Sequence, residues 1–274
     1  MILFAEFNFF LKIEPFASWY FPIVWFGYIF VIDAIVYKIK NHSLISNKPR
    51  IFITLLLMSM AFWWLFEVIN LAVKNWTYTE TSNIYKLVIF GSLSFSTVLP
   101  AVFETLELLR AIRLFDNVKL KESHRITKRF LHVMIWIGII SLVLFLLFPR
   151  YFFPLVWIAF FFLLDPINYL HNQPSIIEHL KDRKLAVPLS IFLAATICGF
   201  FWEFWNYWAA VKWFYTIPLV DFVRIFEMPI LGYFGYGPFG FSLFSMYNFF
   251  KTLNQEAVKL EEKLVTKYID KFKV

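Results

Sequence analysis

Seven stretches of this sequence are apolar over enough residues to cross a lipid bilayer as an α-helix, which needs roughly 18 of them. They lie at 18–37, 51–73, 85–108, 130–148, 151–170, 186–210 and 222–250. A chain that is 60% apolar and only 16% charged is not a soluble globular domain. Gly235, Gly237 and Pro238 predict a bend in the last stretch. The sequence therefore predicts an all-α integral membrane protein.

The positive charges fall mainly in alternate loops between the predicted spans. The net charge is +7, and 20 of the 26 Lys and Arg residues lie in the C-terminal tail and in the loops that follow spans 1, 3 and 5. Basic loops remain on the cytoplasmic side of a membrane. We therefore predict seven spans, with the N-terminus outside and the C-terminus in the cytoplasm. This topology accounts for the positive charge without a nucleic-acid partner.

The two halves of the chain are similar in sequence. Residues 20–45 align with 152–177 without a gap, and ten of the 26 positions are identical, including Pro, Trp, Asp and Tyr. Four spans separate matching helices, so the halves share one orientation. We predict a seven-helix 3+1+3 bundle of two parallel three-helix repeats. Its parts are an interfacial segment at 1–17, repeat 1 at 18–112, a basic loop and linker span at 113–149, repeat 2 at 150–254 and an amphipathic cytoplasmic tail at 255–274.

A Glu and an Asn three residues apart occur in an apolar span of each half, at Glu67 and Asn70 and again at Glu203 and Asn206. Residues three apart share one face of a helix. A carboxyl group inside a membrane is costly and usually marks a site. We therefore predict Glu67 and Glu203 as catalytic residues oriented by the two Asn side chains. The alternative is a polar clamp that holds helices together.

Aromatic residues surround both motifs. Trp63, Trp202 and Trp205 flank the glutamates, and we expect them to form the wall of a cavity into which both glutamates point. Trp213 and Tyr215, which match Trp76 and Tyr78 of the first half, are further candidates for substrate binding. Aromatic faces stabilise cations, and a neutral carboxylic acid can donate a proton. The alternative for the tryptophans is a belt at the membrane interface.

Other acidic residues are interpreted as structural. Asp33 and Asp165 lie near the cytoplasmic ends of matching spans, where a cap or a hydrogen bond between repeats is favoured over a second site. Glu104 and Glu107 precede Arg110 and Arg113, which is typical of a solvated ion-pair face. The histidines have no metal-ligand spacing, and the single cysteine is in an apolar stretch. No metal and no cofactor are predicted.

The repeated pattern resembles a known family. Each half contains a Trp and a Glu, then Trp-x-Tyr, then Gly and Pro. These residues are Trp63, Glu67, Trp76, Tyr78, Gly91 and Pro100 in the first half, and Trp202, Glu203, Trp213, Tyr215, Gly232 and Pro238 in the second. This arrangement resembles the lycopene cyclase domain of membrane-bound carotenoid cyclases. It is also similar to uncharacterised prokaryotic membrane proteins with a duplicated Trp-Glu-x-x-Asn motif.

The resemblance implies an integral-membrane enzyme that acts on an isoprenoid or another apolar lipid by acid-initiated cyclisation, isomerisation or hydration. Glu203 and Glu67 would supply the acid and its partner. The expected partner is therefore a membrane lipid or an apolar small molecule. One alternative is a small-solute transporter, since parallel three-helix repeats around a linker helix also occur in carriers. A structural or accessory membrane protein is a third.

Overall fold

The computed structural model describes residues 1–79, 84–123, 125–217 and 220–271, and the side chains within them except those of 84–87 and 254–271. The described chain is mainly helical. Its helices are α1 (Ile2–Phe10), α2 (Tyr20–Lys40), α3 (Leu44–Asn47), α4 (Pro49–Val73), α5 (Ile84–Ser96), α6 (Val98–Ala111), α7 (Lys128–Leu147), α8 (Pro149–Phe152), α9 (Val156–Leu170), α10 (Ile176–Lys181), α11 (Ala186–Trp208) and α12 (Tyr236–Lys271). Its strands are β1 (Trp76–Tyr78), β2 (Trp213–Tyr215), β3 (Arg224–Ile225) and β4 (Met228–Pro229), and β1 pairs with β2 and β3 with β4.

Among the described residues, six helical stretches are long and apolar enough to cross a membrane. They are α2, α4, Val88–Ala111 (α5 with α6), α7, Pro149–Leu170 (α8 with α9) and α11. They coincide with the first six predicted spans. The prediction of an all-α multi-pass membrane protein is consistent with this arrangement, because several helices expose large apolar side chains that only lipid would cover.

The seventh predicted span, 222–250, is wrong in its first part. Residues 224–229 form the β3–β4 hairpin, and Ile230–Gly235 form a 3-10 helix. The α-helix begins only at Tyr236, where the predicted bend falls, and it continues through the predicted tail as far as Lys271. Pro229 and the glycines at 232 and 235 explain the late start, because Pro removes an amide donor and Gly weakens an α-helix.

Each half packs its first two long helices on its third. In the first half, α2 and α4 both pack on α6, and in the second, α9 and α11 both pack on α12. The two halves contact each other where α11 packs on α6. The helix α7, which lies between the halves in the sequence, packs on α9. The last of these contacts is close, because a Cβ atom on Gly138 would lie 2.6 Å from the backbone nitrogen of Leu163. The core is therefore continuous across both halves.

Asp33 and Asp165 hold matching turns at one end of the bundle. Asp33 accepts a hydrogen bond from the amide of Ile45 at 2.9 Å and another from the Ser43 hydroxyl. Asp165 accepts bonds from the amides of Ile176 and Ile177, both at 2.9 Å. The preceding serines, at 43 and 175, cap the short helices α3 and α10. The aspartates therefore make the structural bonds that the sequence favoured.

Candidate functional site

Glu67 binds the strand that follows its own helix. Its Oε1 accepts hydrogen bonds from Trp63 Nε1 at 2.9 Å, from Trp76 Nε1 at 3.1 Å and from the Tyr78 hydroxyl. Trp63 reaches the carboxyl group because residues four apart share a helix face. Trp76 and Tyr78 reach it together because alternate residues of a strand point the same way. Glu67 thereby anchors β1 to the end of α4.

Glu203 binds the matching strand of the second half and also α12. Its Oε1 accepts hydrogen bonds from the hydroxyls of Tyr215 at 2.7 Å and Tyr236 at 2.5 Å. Trp213 Nε1 donates to the Tyr215 hydroxyl at 2.8 Å rather than to the glutamate. The side chain is fully buried, and its Oε2 has no hydrogen-bond partner among the described residues. Glu203 is thus the less fully satisfied of the two glutamates.

The two Asn side chains clamp the backbone of these strands. Asn70 Nδ2 donates to the carbonyl of Trp76 at 2.8 Å, and its Oδ1 accepts from the amide of Asn75 at 2.9 Å. Asn206 makes both bonds with Trp213, each at 2.9 Å. The expectation that these residues orient the glutamates is wrong, because their amides are used by the strand backbone. Asn70 and Asn206 fix where each strand leaves its helix.

The strands β1 and β2 pair antiparallel in a symmetric register. Trp76 lies opposite Tyr215, and Tyr78 lies opposite Trp213. These are the residues that match between the two halves of the sequence. An antiparallel pair in which equivalent residues exchange places has a local two-fold axis between the strands. The two glutamate-bound strands therefore meet as equivalent elements.

A cavity of about 880 Å³ borders this strand pair. Its wall contains Trp76, Tyr78, Trp213 and Tyr215 from the strands, and it is otherwise almost entirely aromatic or aliphatic. Phe239 packs at its base with Trp63, Trp157 and Trp202, at ring-centroid distances of 6.1, 5.4 and 6.4 Å. We call these four residues the aromatic floor. The volume is within the ~300–1,000 Å³ range of small-molecule sites.

Four of the predicted substrate-binding residues line the cavity: Trp63, Trp202, Trp213 and Tyr215. Trp205 does not, because it packs between Trp25 and Phe201 at centroid distances of 4.9 and 5.0 Å. Neither Asn belongs to the lining. The expectation that Glu67 and Glu203 point into the cavity is wrong, because the lining contains Tyr78, Tyr215 and Tyr236 instead. Each glutamate lies behind the tyrosines that bond to it.

Several lining residues were not predicted from the sequence, among them Trp157, Tyr236 and Phe239. Trp157 lies in the duplicated range 152–177, and its counterpart Trp25 is fully buried in the core. Tyr236 lies outside the duplicated motif, and only tertiary packing brings it to Glu203. A Cβ atom on Gly199 would lie 2.2 Å from the Tyr236 ring. Gly199, one helical turn before Glu203, was the signal in the sequence that something packs closely here.

The tyrosines of the two strands keep their protons. Burial, followed by the neighbouring glutamate, raises the pKa of Tyr78 well above its usual value. The same causes raise the pKa of Tyr215. A phenol that resists ionisation remains a hydrogen-bond donor over the whole physiological range. The cavity wall therefore presents neutral tyrosines, and each of them donates a hydrogen bond to a glutamate carboxyl group that lies behind it.

Glu104 and Glu107 do not form one solvated face. Glu107 is exposed and forms an ion pair with Lys40 at 2.7 Å. Glu104 is fully buried, has no hydrogen-bond donor among the described residues and lies against Asp33. The prediction was wrong for Glu104 because α6 packs on α2 and α11, so only the Glu107 side of the helix reaches solvent.

Comparisons with protein families, with curated proteins and with solved structures found no significant match to this chain.

Proposed function

We propose that this protein binds an isoprenoid or another apolar lipid within the membrane, in the cavity beside β1 and β2. The observation that carries the proposal is the lining of the cavity, in which aromatic and aliphatic side chains surround a space of about 880 Å³. A polar solute would lose its hydration there and find few hydrogen bonds in return. An apolar molecule has no comparable hydration to lose, and it gains contact with the aromatic floor.

The chemical part of the proposal is acid-initiated cyclisation, isomerisation or hydration, with Glu203 as the acid and Glu67 as its partner. Glu203 is supported because one of its oxygens is unpartnered and the other bonds to Tyr215 and Tyr236, which line the cavity. When Glu203 carries a proton, one of these hydroxyls can donate its own proton to an alkene carbon of the ligand. The tyrosine oxygen then takes the proton of Glu203, which leaves Glu203 as a carboxylate and the ligand as a carbocation. Aromatic faces would stabilise the resulting carbocation.

A small-solute transporter is the second candidate, and one observation favours it. The third helix of the first half is interrupted at Thr97, between α5 and α6, three residues before Pro100. In the second half, the corresponding helix begins as the 3-10 segment Ile230–Gly235, which ends three residues before Pro238 and is followed directly by α12. Helix breaks at equivalent positions of two repeats are a common feature of transport sites. A flux of a polar solute into proteoliposomes would favour this candidate over the enzyme.

We propose the 3+1+3 arrangement of parallel repeats, with α12 as the seventh span, the N-terminus outside and the C-terminus in the cytoplasm. The matching bonds of Asp33 and Asp165 and the symmetric pairing of β1 with β2 support the repeats. The distribution of Lys and Arg supports the orientation. Only an odd number of spans places the two termini on opposite sides.

Single cysteines test this topology. We expect Thr77→Cys, on the exposed side of β1, to react with a membrane-impermeant maleimide added outside intact cells. Lys121→Cys, in the exposed loop before α7, should react only after the cells are opened. The native Cys198 is buried and should remain unlabelled, which the unsubstituted protein controls. Labelling of both positions from the same side would contradict the arrangement.

The lipid-binding proposal is tested by mass spectrometry of molecules that copurify with the protein. We expect an isoprenoid or a similar apolar lipid that is enriched over the bulk membrane extract. Gly235→Leu should deplete it, because a Cβ atom there meets Trp157 of the cavity wall at an ordinary 3.4 Å and the longer side chain fills the cavity. Ala34→Leu, on an exposed part of α2, is the matched control. Equal lipid in both variants would contradict the proposal.

A further inference from the structure

We propose that the ligand is an amphiphile with a cationic head group, which binds at Glu14, and an apolar tail, which lies on the aromatic floor. This inference rests on the proposed lipid-binding function and specifies the class of lipid. Three features of the cavity carry it: the charge of its lining, the position of Glu14 and the nature of the rest of the lining.

Glu14 is the only Asp, Glu, Lys or Arg among the described residues that line the cavity. Its Oε2 accepts the backbone N–H of Ser18 at 3.3 Å, and no described ion pair includes it. No basic side chain of the described chain therefore neutralises the Glu14 carboxylate. A single acidic group at the edge of an apolar space attracts a cation and repels an anionic lipid.

Glu14 lies where the head of a membrane amphiphile would be. It is in the segment between α1 and α2, which ends at Trp19, and α2 begins at Tyr20. The side chains of Glu14 and Ser18 are exposed, and the Trp19 ring packs edge-on against Phe90 of α5 at 4.5 Å. An indole ring at the end of a span marks the level of the lipid head groups. A head bound at Glu14 could remain hydrated while its tail enters the cavity.

The rest of the described lining suits a tail and offers no second ionic site. Its polar groups are neutral: the amide of Asn75, the hydroxyl of Ser94 and the tyrosines that bond to the glutamates. Six indole rings complete the lining, those of Trp19, Trp63, Trp76, Trp157, Trp202 and Trp213. Because ring faces also attract cations, they strengthen rather than oppose the preference set by Glu14. The cavity therefore selects a cationic amphiphile over a neutral one of the same length.

The test compares two ligands with the same tail, N,N-dimethylfarnesylamine and farnesol, on protein in lipid nanodiscs. Binding is followed by quenching of the tryptophan fluorescence. We expect Glu14→Gln to weaken binding of the amine about fivefold, the effect of a partly exposed ion pair, and to leave farnesol unchanged. Glu122→Gln, the same change on an exposed cytoplasmic loop, should affect neither ligand.

The possible results separate this inference from the proposed function. If farnesol binds but Glu14→Gln leaves the amine unaffected, or weakens both ligands equally, the head-group assignment is overturned and the lipid cavity stands. If the unsubstituted protein binds neither ligand, the isoprenoid form of the proposed function fails with it. The inference is supported only if Glu14→Gln weakens binding of the amine and leaves binding of farnesol unchanged.

Discussion

Glu203→Leu is expected to destabilise the protein by roughly 2–6 kcal/mol, because it leaves the hydroxyls of Tyr215 and Tyr236 without an acceptor in a buried site. Each unsatisfied buried donor costs about 1–3 kcal/mol. The loss also releases α12 from β2, because Glu203 is the acceptor that both elements share. The measurement is the midpoint of thermal unfolding of the protein in detergent, and size-exclusion chromatography is used to monitor the unfolding.

Glu203→Gln is the control that separates structure from chemistry. Its amide oxygen can still accept from both tyrosines, so we expect near-normal stability. Under the enzymatic proposal the same variant is inactive, because the carboxyl proton is gone, while lipid still copurifies with it. A Gln variant as unstable as the Leu variant would show that the charge or the proton of Glu203 is needed for folding, and would remove the basis for assigning it to catalysis.

Gly199→Ala is expected to have the second large effect. Its Cβ atom would lie 2.2 Å from the Tyr236 ring, and that ring is fixed at its far end by the bond to Glu203. Overpacking of this kind costs about 1–3 kcal/mol. We expect a lower unfolding midpoint together with loss of the copurifying lipid, because displaced Tyr236 and Trp202 both line the cavity.

Gly91→Ala is the matched control for this prediction. Gly91 also lines the cavity, but an added Cβ atom would meet only the outer edge of the Phe95 ring, at 3.3 Å. A flexible ring edge can move by a few tenths of an ångström, so the change should cost less than about 1 kcal/mol. If both alanine variants behave alike, the close contact between α11 and Tyr236 is not the constraint that we describe.

The helices that are long and apolar enough to cross a membrane were predictable, because length and hydropathy alone identify them. α2, α4, α7 and α11 coincide with uninterrupted apolar stretches, and tertiary packing could not change that result. The duplicated Asp33 and Asp165 were also interpreted correctly, because these partners lie in the turn after each aspartate's own helix, 10 to 12 residues along the chain. The late start of α12 was missed because two-residue strands leave too weak a pattern in a sequence.

The sequence predicted which residues form the site better than it predicted what each of them does. The repeated Glu, Asn, Trp and Tyr positions do come together, but the sequence could not show which side of each helix faces a cavity. Asn70 and Asn206 bind strand backbone, a role that depends on where the chain turns after the helix. Tyr236 reaches Glu203 from 33 residues away. Such a contact leaves no periodic signal, and only the glycine at 199 indicates it.

The central proposal is that the aromatic cavity holds an apolar ligand. An electron cryo-microscopy map of the protein, purified gently from the membrane in which it is expressed, tests this directly. We predict continuous, elongated density against Phe239 and Trp157, with one end near Glu14 and with no contact to Glu67 or Glu203. A cavity that is closed by its own side chains, or that contains only a chain of separated water peaks, would contradict the account.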